Sequence, residues 1–323
     1  MSRSKPTAIQ SVPSDFLPLA DRGPTPPWRR FRHADPDDRG AGYVPTPEEF
    51  NSVNAALQLR RPLLVTGKPG TGKSTLAHAV ASRLQLGRVL VWPITSRSTL
   101  HEGLYSYDAV GRLHAASLAA SARKTKPAAK PDICSYLRLG PLGTALALAK
   151  ENRPAVLLID EIDKSDIDLP NDLLHLFEEG TFVIPELARL GENVPVPVGL
   201  HDCPDTASIT GGRVSCDGFP FIILTSNGER DFPPAFLRRC LRLDLPPPNK
   251  EQLAAIIAKR LIVTPAKSDE INVLLDSFLK LRDTGQREIS TDQLLNAAHL
   301  VLHGLASADS PQLRDDILRS LSS

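Results

Sequence analysis

Four short apolar runs punctuate the chain: Leu63-Leu64-Val65, Val89-Leu90-Val91-Trp92, Ala155-Val156-Leu157-Leu158-Ile159 and Phe221-Ile222-Ile223-Leu224. None alternates with polar residues, which is the pattern of a strand covered on both faces in a parallel sheet. A fifth strand, Leu241-Arg242-Leu243-Asp244-Leu245, runs into Pro246-Pro247-Pro248. Between the strands the period becomes helical. Pro47-Glu48-Glu49 starts a helix with Phe50, Val53 and Leu57 on one face, running to about Leu59. Another follows the first strand to about Leu84, and an Ala/Leu helix over 144–151 follows Gly140-Pro141-Leu142-Gly143. Leu169, Leu173, Leu176 and Phe177 share a face until Gly180 stops it. Residues 94–107 read as a polar loop leading to a helix near 108–122. In residues 181–220, Val194, Val196 and Val198 alternate and Thr210-Gly211-Gly212-Arg213-Val214 can pair back, which predicts a β-hairpin insertion. From 249 onward the pattern is all-helical, with helices at 251–260, 268–282, 291–303 and 311–321 and an S-x-x-Q capping box at Ser290. Residues 1–47 hold nine of the 29 prolines, so 1–25 read as disordered. The expected layout is a proline-rich arm (1–45), an α/β domain (46–248) and a helical domain (249–323).

The first run leads into Gly67-Lys68-Pro69-Gly70-Thr71-Gly72-Lys73-Ser74-Thr75, which is G-x-x-x-x-G-K-S between a strand and a helix. Glycines let backbone N–H groups turn inward around a phosphate, and the following helix points its positive end at the same place. Lys73 adds a cation for the β- and γ-phosphates, and Ser74 a hydroxyl for Mg²⁺. These nine residues are the expected nucleotide-binding set. The third strand ends in Asp160-Glu161, at the sheet edge where open α/β folds place ligands. Asp160 is the second expected Mg²⁺ residue, and Glu161 the base that deprotonates attacking water. The fourth strand ends in Thr225-Ser226-Asn227, and the Asn227 amide can bond that water or the γ-phosphate. Phe236-Leu237-Arg238-Arg239-Cys240 closes a short helix with two arginines.

Composition narrows the classes. A net charge of +1 gives no global argument for nucleic acid or an anionic membrane. No apolar run is long enough to span a bilayer and the first residues lack a signal-peptide core, so a cytoplasmic protein is expected. Cys134, Cys203, Cys216 and Cys240 show no C-x-x-C spacing and read as free thiols. His299 and His303, four apart, are at most half of a metal site. Three further features have two readings each. Trp28, within Pro26-Pro27-Trp28-Arg29-Arg30-Phe31, belongs to a docking peptide or to an arm packed on its own domain. Arg97, Tyr105 and Tyr107 face a pore, or the tyrosines pack under their loop. The basic residues Arg123, Lys124, Lys126 and Lys130 are a solvated loop or a nucleic-acid contact.

The order phosphate loop, hydrophobic-Asp-Glu strand, strand-Asn, double arginine and small helical domain resembles the AAA+ ATPases over about residues 45–305. Gly140-Pro141-Leu142, the long segment before the Asn227 strand and Phe236-Leu237-Arg238-Arg239-Cys240 look most like the MoxR branch. The resemblance implies a P-loop AAA+ fold with a parallel five-stranded sheet in the order 5-1-4-3-2 and a helical lid. It implies a ring, usually a hexamer, with ATP and Mg²⁺ between subunits, Asn227 as sensor 1 and Arg238 or Arg239 as the arginine finger. It implies remodelling of a protein client, often alongside a protein with a von Willebrand A domain. The lid helix begins Ser290-Thr291-Asp292 without the family's sensor 2 arginine, and Arg287 lies just upstream as a substitute. A slow assembly switch, a nucleic-acid motor and a small-molecule phosphotransferase are the other classes that bear a phosphate loop.

Overall fold

The computed structural model describes residues 23–29, 40, 43, 45–121, 132–191, 195–284 and 289–308. Expectations for residues 1–22, for Arg30 and Phe31, the basic cluster at 123–130, Val194, Arg287 and a helix at 311–321 lie outside these. The chain divides after Gln252 into two compact units: Asp35–Gln252, and Leu253 onward joined by the segment that holds Trp28.

In the first unit, Thr46 accepts the Glu49 N–H and caps α1 (Pro47–Leu59), which stops at Arg60 in a left-handed conformation. Then follow β1 (Leu63–Gly67), α2 (Lys73–Arg83), β2 (Val89–Pro93), α3 (Leu100–Leu104), β3 (Tyr105–Tyr107), α4 (Ala109–Ser121), β4 (Leu137–Leu139), α5 (Pro141–Leu148) and β5 (Val156–Asp160). After β5 come α6 (Asp168–Glu179), β6 (Thr181–Val183), α7 (Pro185–Ala188), β7 (Val196–Gly199), β8 (Thr206–Ile209), β9 (Arg213–Ser215), β10 (Phe221–Ser226), α8 (Pro234–Arg239) and β11 (Leu241–Leu245). The main sheet runs β11-β1-β10-β5-β2, every pair parallel. Numbering only these five strands along the chain gives the expected order 5-1-4-3-2.

The unbroken apolar runs have a direct cause. Leu64, Leu157, Ile159, Ile222 and Leu224 point into one core. Their neighbours Leu63, Val65, Val156, Leu158 and Ile223 point into another. β1, β5 and β10 are therefore covered on both faces, which is why polar residues are missing from their apolar runs, whereas β11 exposes Arg242 and Asp244.

Two expectations need correction. Residues 94–107 are not a loop throughout. Thr99 and Glu102 form a capping box that starts α3, and β3 pairs antiparallel with β4 (Tyr105↔Leu139). Elements of five and three residues are too short for periodicity to reveal. The insertion is also more than a hairpin. β7 pairs with β8, not with 210–214, while β9 pairs with β6. β4 then joins β7 in parallel, so segments before and after β5 build one four-stranded sheet, β3-β4-β7-β8. Tyr105 is buried within it, its hydroxyl donating to Glu186 at 3.0 Å and its ring stacked on Phe182. Tyr107 accepts from Arg112. Of the two readings for these tyrosines, packing describes them. All four cysteines are free, and burial pushes the Cys240 thiol up to about 12.

The second unit contains most of α9 (Lys250–Arg260), α10 (Ser268–Asp283) and α11 (Thr291–Leu302) around Leu253, Ile257, Leu274, Phe278, Leu294 and Val301. Both bonds of the Ser290–Gln293 capping box are made. Trp28 packs on this core, donating from Nε1 to Asn296 at 3.2 Å and meeting the His299 ring edge-on. His299 Nε2 lies 3.0 Å from the Pro24 carbonyl. No helix among the described residues is long and apolar enough to cross a membrane.

Candidate active site

The site grows from the C-terminal ends of β1, β5 and β10, adjacent in the sheet. At the end of β1 the backbone turns at Gly67 with φ +149°, and a Cβ there would stand 2.6 Å from the Leu245 carbonyl oxygen. Gly72, at φ +95°, caps α2, and a Cβ on it would lie 2.9 Å from the Tyr43 ring. Both positions exclude side chains by conformation and by space. Thr71 closes the turn, its hydroxyl donating to Lys68 O at 2.9 Å. Lys68, Pro69 and Gly70 form the exposed tip, while Thr71 and Lys73 are buried beneath it. Ser74 and Thr75 follow in the first turn of α2.

Lys73 donates to Gly67 O at 2.7 Å, Lys68 O at 3.0 Å and Asn227 Oδ1 at 2.8 Å. Burial lowers its pKa, opposed by the charges of Asp163, Asp160 and Glu161. Phosphate loop, acidic strand end and Asn227 therefore meet around one ammonium.

Asp160 Oδ1 accepts the Ser74 hydroxyl at 2.6 Å and the Thr225 hydroxyl at 2.7 Å. The same Thr225 oxygen accepts the Glu161 N–H at 2.9 Å. Glu161 sits in the left-handed region (φ +60°), which is rare for a residue with a side chain. Its carboxylate is half-buried and pairs with Lys164 Nζ at 2.7 Å. The Ser74 and Asp160 oxygens are hard donors side by side at a strand end. That arrangement fits Mg²⁺, which takes one or two protein oxygens and completes its shell with water and phosphate.

The two arginines stand apart from this cluster, at the end of α8. Arg239 is half-buried and ion-paired with Glu178, its Nε donating at 2.6 Å. Arg238 is exposed, and its Nε bonds the Pro234 carbonyl of its own helix at 3.2 Å. Arg61 holds this helix end by donating to the carbonyls of Arg238 and Arg239.

Sequence reasoning missed Thr225, Asp163, Arg61 and Tyr43. Asp163 Oδ2 accepts the N–H groups of Asn227 and Glu229. Tyr43 donates its hydroxyl to buried Glu49 at 2.8 Å. Burial, then Glu49, pushes that phenol up. A hydroxyl ending a strand beside the acidic one was a usable signal for Thr225. The other three have none in the sequence, because their partners lie on other elements.

A parallel sheet with a phosphate loop at the end of β1 and an Asp-Glu pair two strands away, at the end of β5, defines a P-loop nucleotide-binding domain. Residues 62–240 match the AAA domain family, dynein-related subfamily, and the chain belongs to that family. No curated protein matches it. Among solved structures it is similar to NtrX from Brucella abortus in complex with ADP, at 13% identity and a TM-score of 0.40. That alignment covers 86% of this chain and 53% of the NtrX chain, so this chain spans about half of its length.

Proposed function

We propose that this chain is a Mg²⁺-dependent ATPase that works as a ring, with nucleotide between subunits, and spends the hydrolysis cycle on remodelling a protein client. The observation that carries the reading is the convergence of Lys73, Ser74, Asp160, Glu161 and Asn227 at one sheet edge. The loop amides and Lys73 bind the phosphates of ATP. Ser74 and Asp160 hold Mg²⁺, which when bound neutralises charge on the β- and γ-phosphates. Glu161 takes the proton of the attacking water, and Asn227 orients that water or the γ-phosphate. Arg238 is the finger offered to a neighbour, because Arg239 is already paired with Glu178. The finer MoxR-like reading rests on Gly140-Pro141-Leu142, the long segment between α6 and β10, and Phe236-Leu237-Arg238-Arg239-Cys240. The family resemblance also carries the hexamer and, through the MoxR-like reading, a von Willebrand A partner; a cytoplasmic setting is proposed from the sequence composition.

One observation favours a slower, switch-like ATPase as the second reading: Lys164 holds the base in an ion pair. The test measures ATPase rate per subunit against protein concentration. Glu161→Gln is expected to bind ATP and lose about 100-fold or more of turnover. Arg238→Ala is expected to lose at least as much, and mixing the two dead variants restores activity through mixed interfaces. A rate independent of concentration and of Arg238 overturns the ring. A steep concentration dependence with turnover of only a few per hour selects the switch.

A further inference from the structure

Asp163 is a buried carboxylate, 2% exposed, that the scheme above does not use. It lies in the 3₁₀ turn Ile162–Lys164 that follows the acidic pair. Its Oδ2 accepts the backbone N–H groups of Asn227 at 2.8 Å and Glu229 at 3.1 Å. Between them Gly228 takes a left-handed conformation, φ +78°, which turns the two flanking N–H groups toward one point. Successive N–H groups arranged in this way form a concave seat for an anion. Here the anion is a side chain of the same protein, and its bonds are charge-assisted. Asp163 Oδ1 is buried and has no hydrogen-bond partner among the described residues. A surface turn does not require a carboxylate with so little solvent, so something specific to this loop keeps it there.

What the loop presents supplies the reason. The residue whose N–H Asp163 holds is Asn227, and the Asn227 Oδ1 meets Lys73 Nζ at 2.8 Å. The chain of contacts runs from the Asp163 carboxylate through the Asn227 backbone and side chain to the ammonium of the phosphate loop. Beyond Ser226 the backbone has left the sheet, so strand pairing no longer fixes its direction. Asp163 replaces those lost bonds at the position where the side chain must be aimed.

We infer that Asp163 is a positioning residue for Asn227: by seating the N–H groups of residues 227 and 229 it points the Asn227 amide at Lys73 and the terminal phosphate of the substrate. This rests on the ATPase reading, and Glu161→Gln is therefore measured beside it. The test is a double-mutant cycle on steady-state kcat, with Asp163→Ala, Asn227→Ala and the double variant. Asp163→Ala is expected to lower kcat on the order of 10- to 100-fold, as misplacement of a group by about an ångström does. ADP affinity is expected to stay within about twofold, because ADP has no γ-phosphate for Asn227 to meet. In the Asn227→Ala background the same change is expected to cost nothing further, which a general structural role would not produce. Asp163→Asn, which keeps an acceptor facing the two N–H groups, restores most of the rate. Should Asp163→Ala fail to fold, Asp163→Ser is carried through the same cycle. Additive losses, loss of ADP binding alongside kcat, or wild-type turnover overturn the inference. If Glu161→Gln hydrolyses ATP normally, the assignment of Glu161 as the base fails; if the wild-type chain hydrolyses no ATP, the ATPase reading itself fails; both differ from failure of the Asp163 inference.

Discussion

Thr225 has no solvent exposure, yet its hydroxyl serves two neighbours, donating to Asp160 Oδ1 and accepting the Glu161 N–H. Replacing it with valine keeps the shape and removes both bonds. The part-buried Glu161 amide then loses its acceptor, which costs up to about 1–3 kcal/mol. Asp160 also loses one of the donors that orient it. Thr225→Val is expected to lower the melting temperature by several degrees and kcat by about tenfold, checked by thermal unfolding and steady-state ATPase measurements on one preparation. The contrast with the phosphate loop shows what a sequence reveals at this scale. Residues 67–75 are legible because the chemistry needs adjacent residue types, and the strand and helix on either side are visible too. Asp160-Glu161 is legible for the same reason. Thr225 was signalled only by its place at the end of the strand beside the acidic one, and Asp163 acts on groups of a later loop that nothing near it in the chain declares.

At the scale of elements, β1, β2, β5 and β10 were readable because cover on both faces leaves an unbroken apolar run, while β11 alternates and exposes Arg242 and Asp244. α5 shows a boundary that propensity misplaces. It starts at Pro141, with Gly140 as its cap, three residues before the expected Ala/Leu helix. The glycines there are set by crowding. A Cβ on Gly143 would lie 1.9 Å from the Leu104 carbonyl oxygen, so α5 and the end of α3 touch backbone to backbone. Gly143→Ala would raise helix propensity in isolation, by roughly 1 kcal/mol. Here the clash dominates, and the variant is expected to lose about 1–3 kcal/mol of stability, read from chemical denaturation. β3 and β4 escaped detection because three-residue strands carry no period. Their register depends on residues some thirty positions apart, joined only in space.

At the scale of the whole molecule, the helical unit was legible from spacing at α9, α10 and α11, and of the two readings for Trp28 the structure shows the arm packed on its own domain, although the sequence did not say against which residues. Trp28 is half-buried on that unit, bonded to Asn296 and set against His299. Trp28→Ala is expected to cost about 1–2 kcal/mol, less than full burial of a tryptophan would give. The loss is read as earlier unfolding of the helical unit by urea, with nucleotide affinity unchanged. The order of the main sheet has its own consequence, for synthesis. β1 carries the phosphate loop, yet its two neighbours are β10 and β11, where Leu63 meets Ile223 and Leu241. A ribosome adding roughly 5–20 residues per second exposes the Leu63-Leu64-Val65 strand long before either neighbour exists. Until Phe221–Ser226 has left the exit tunnel, the nascent nucleotide site is an unpaired sticky strand, and the growing chain must be kept from pairing it with a stranger.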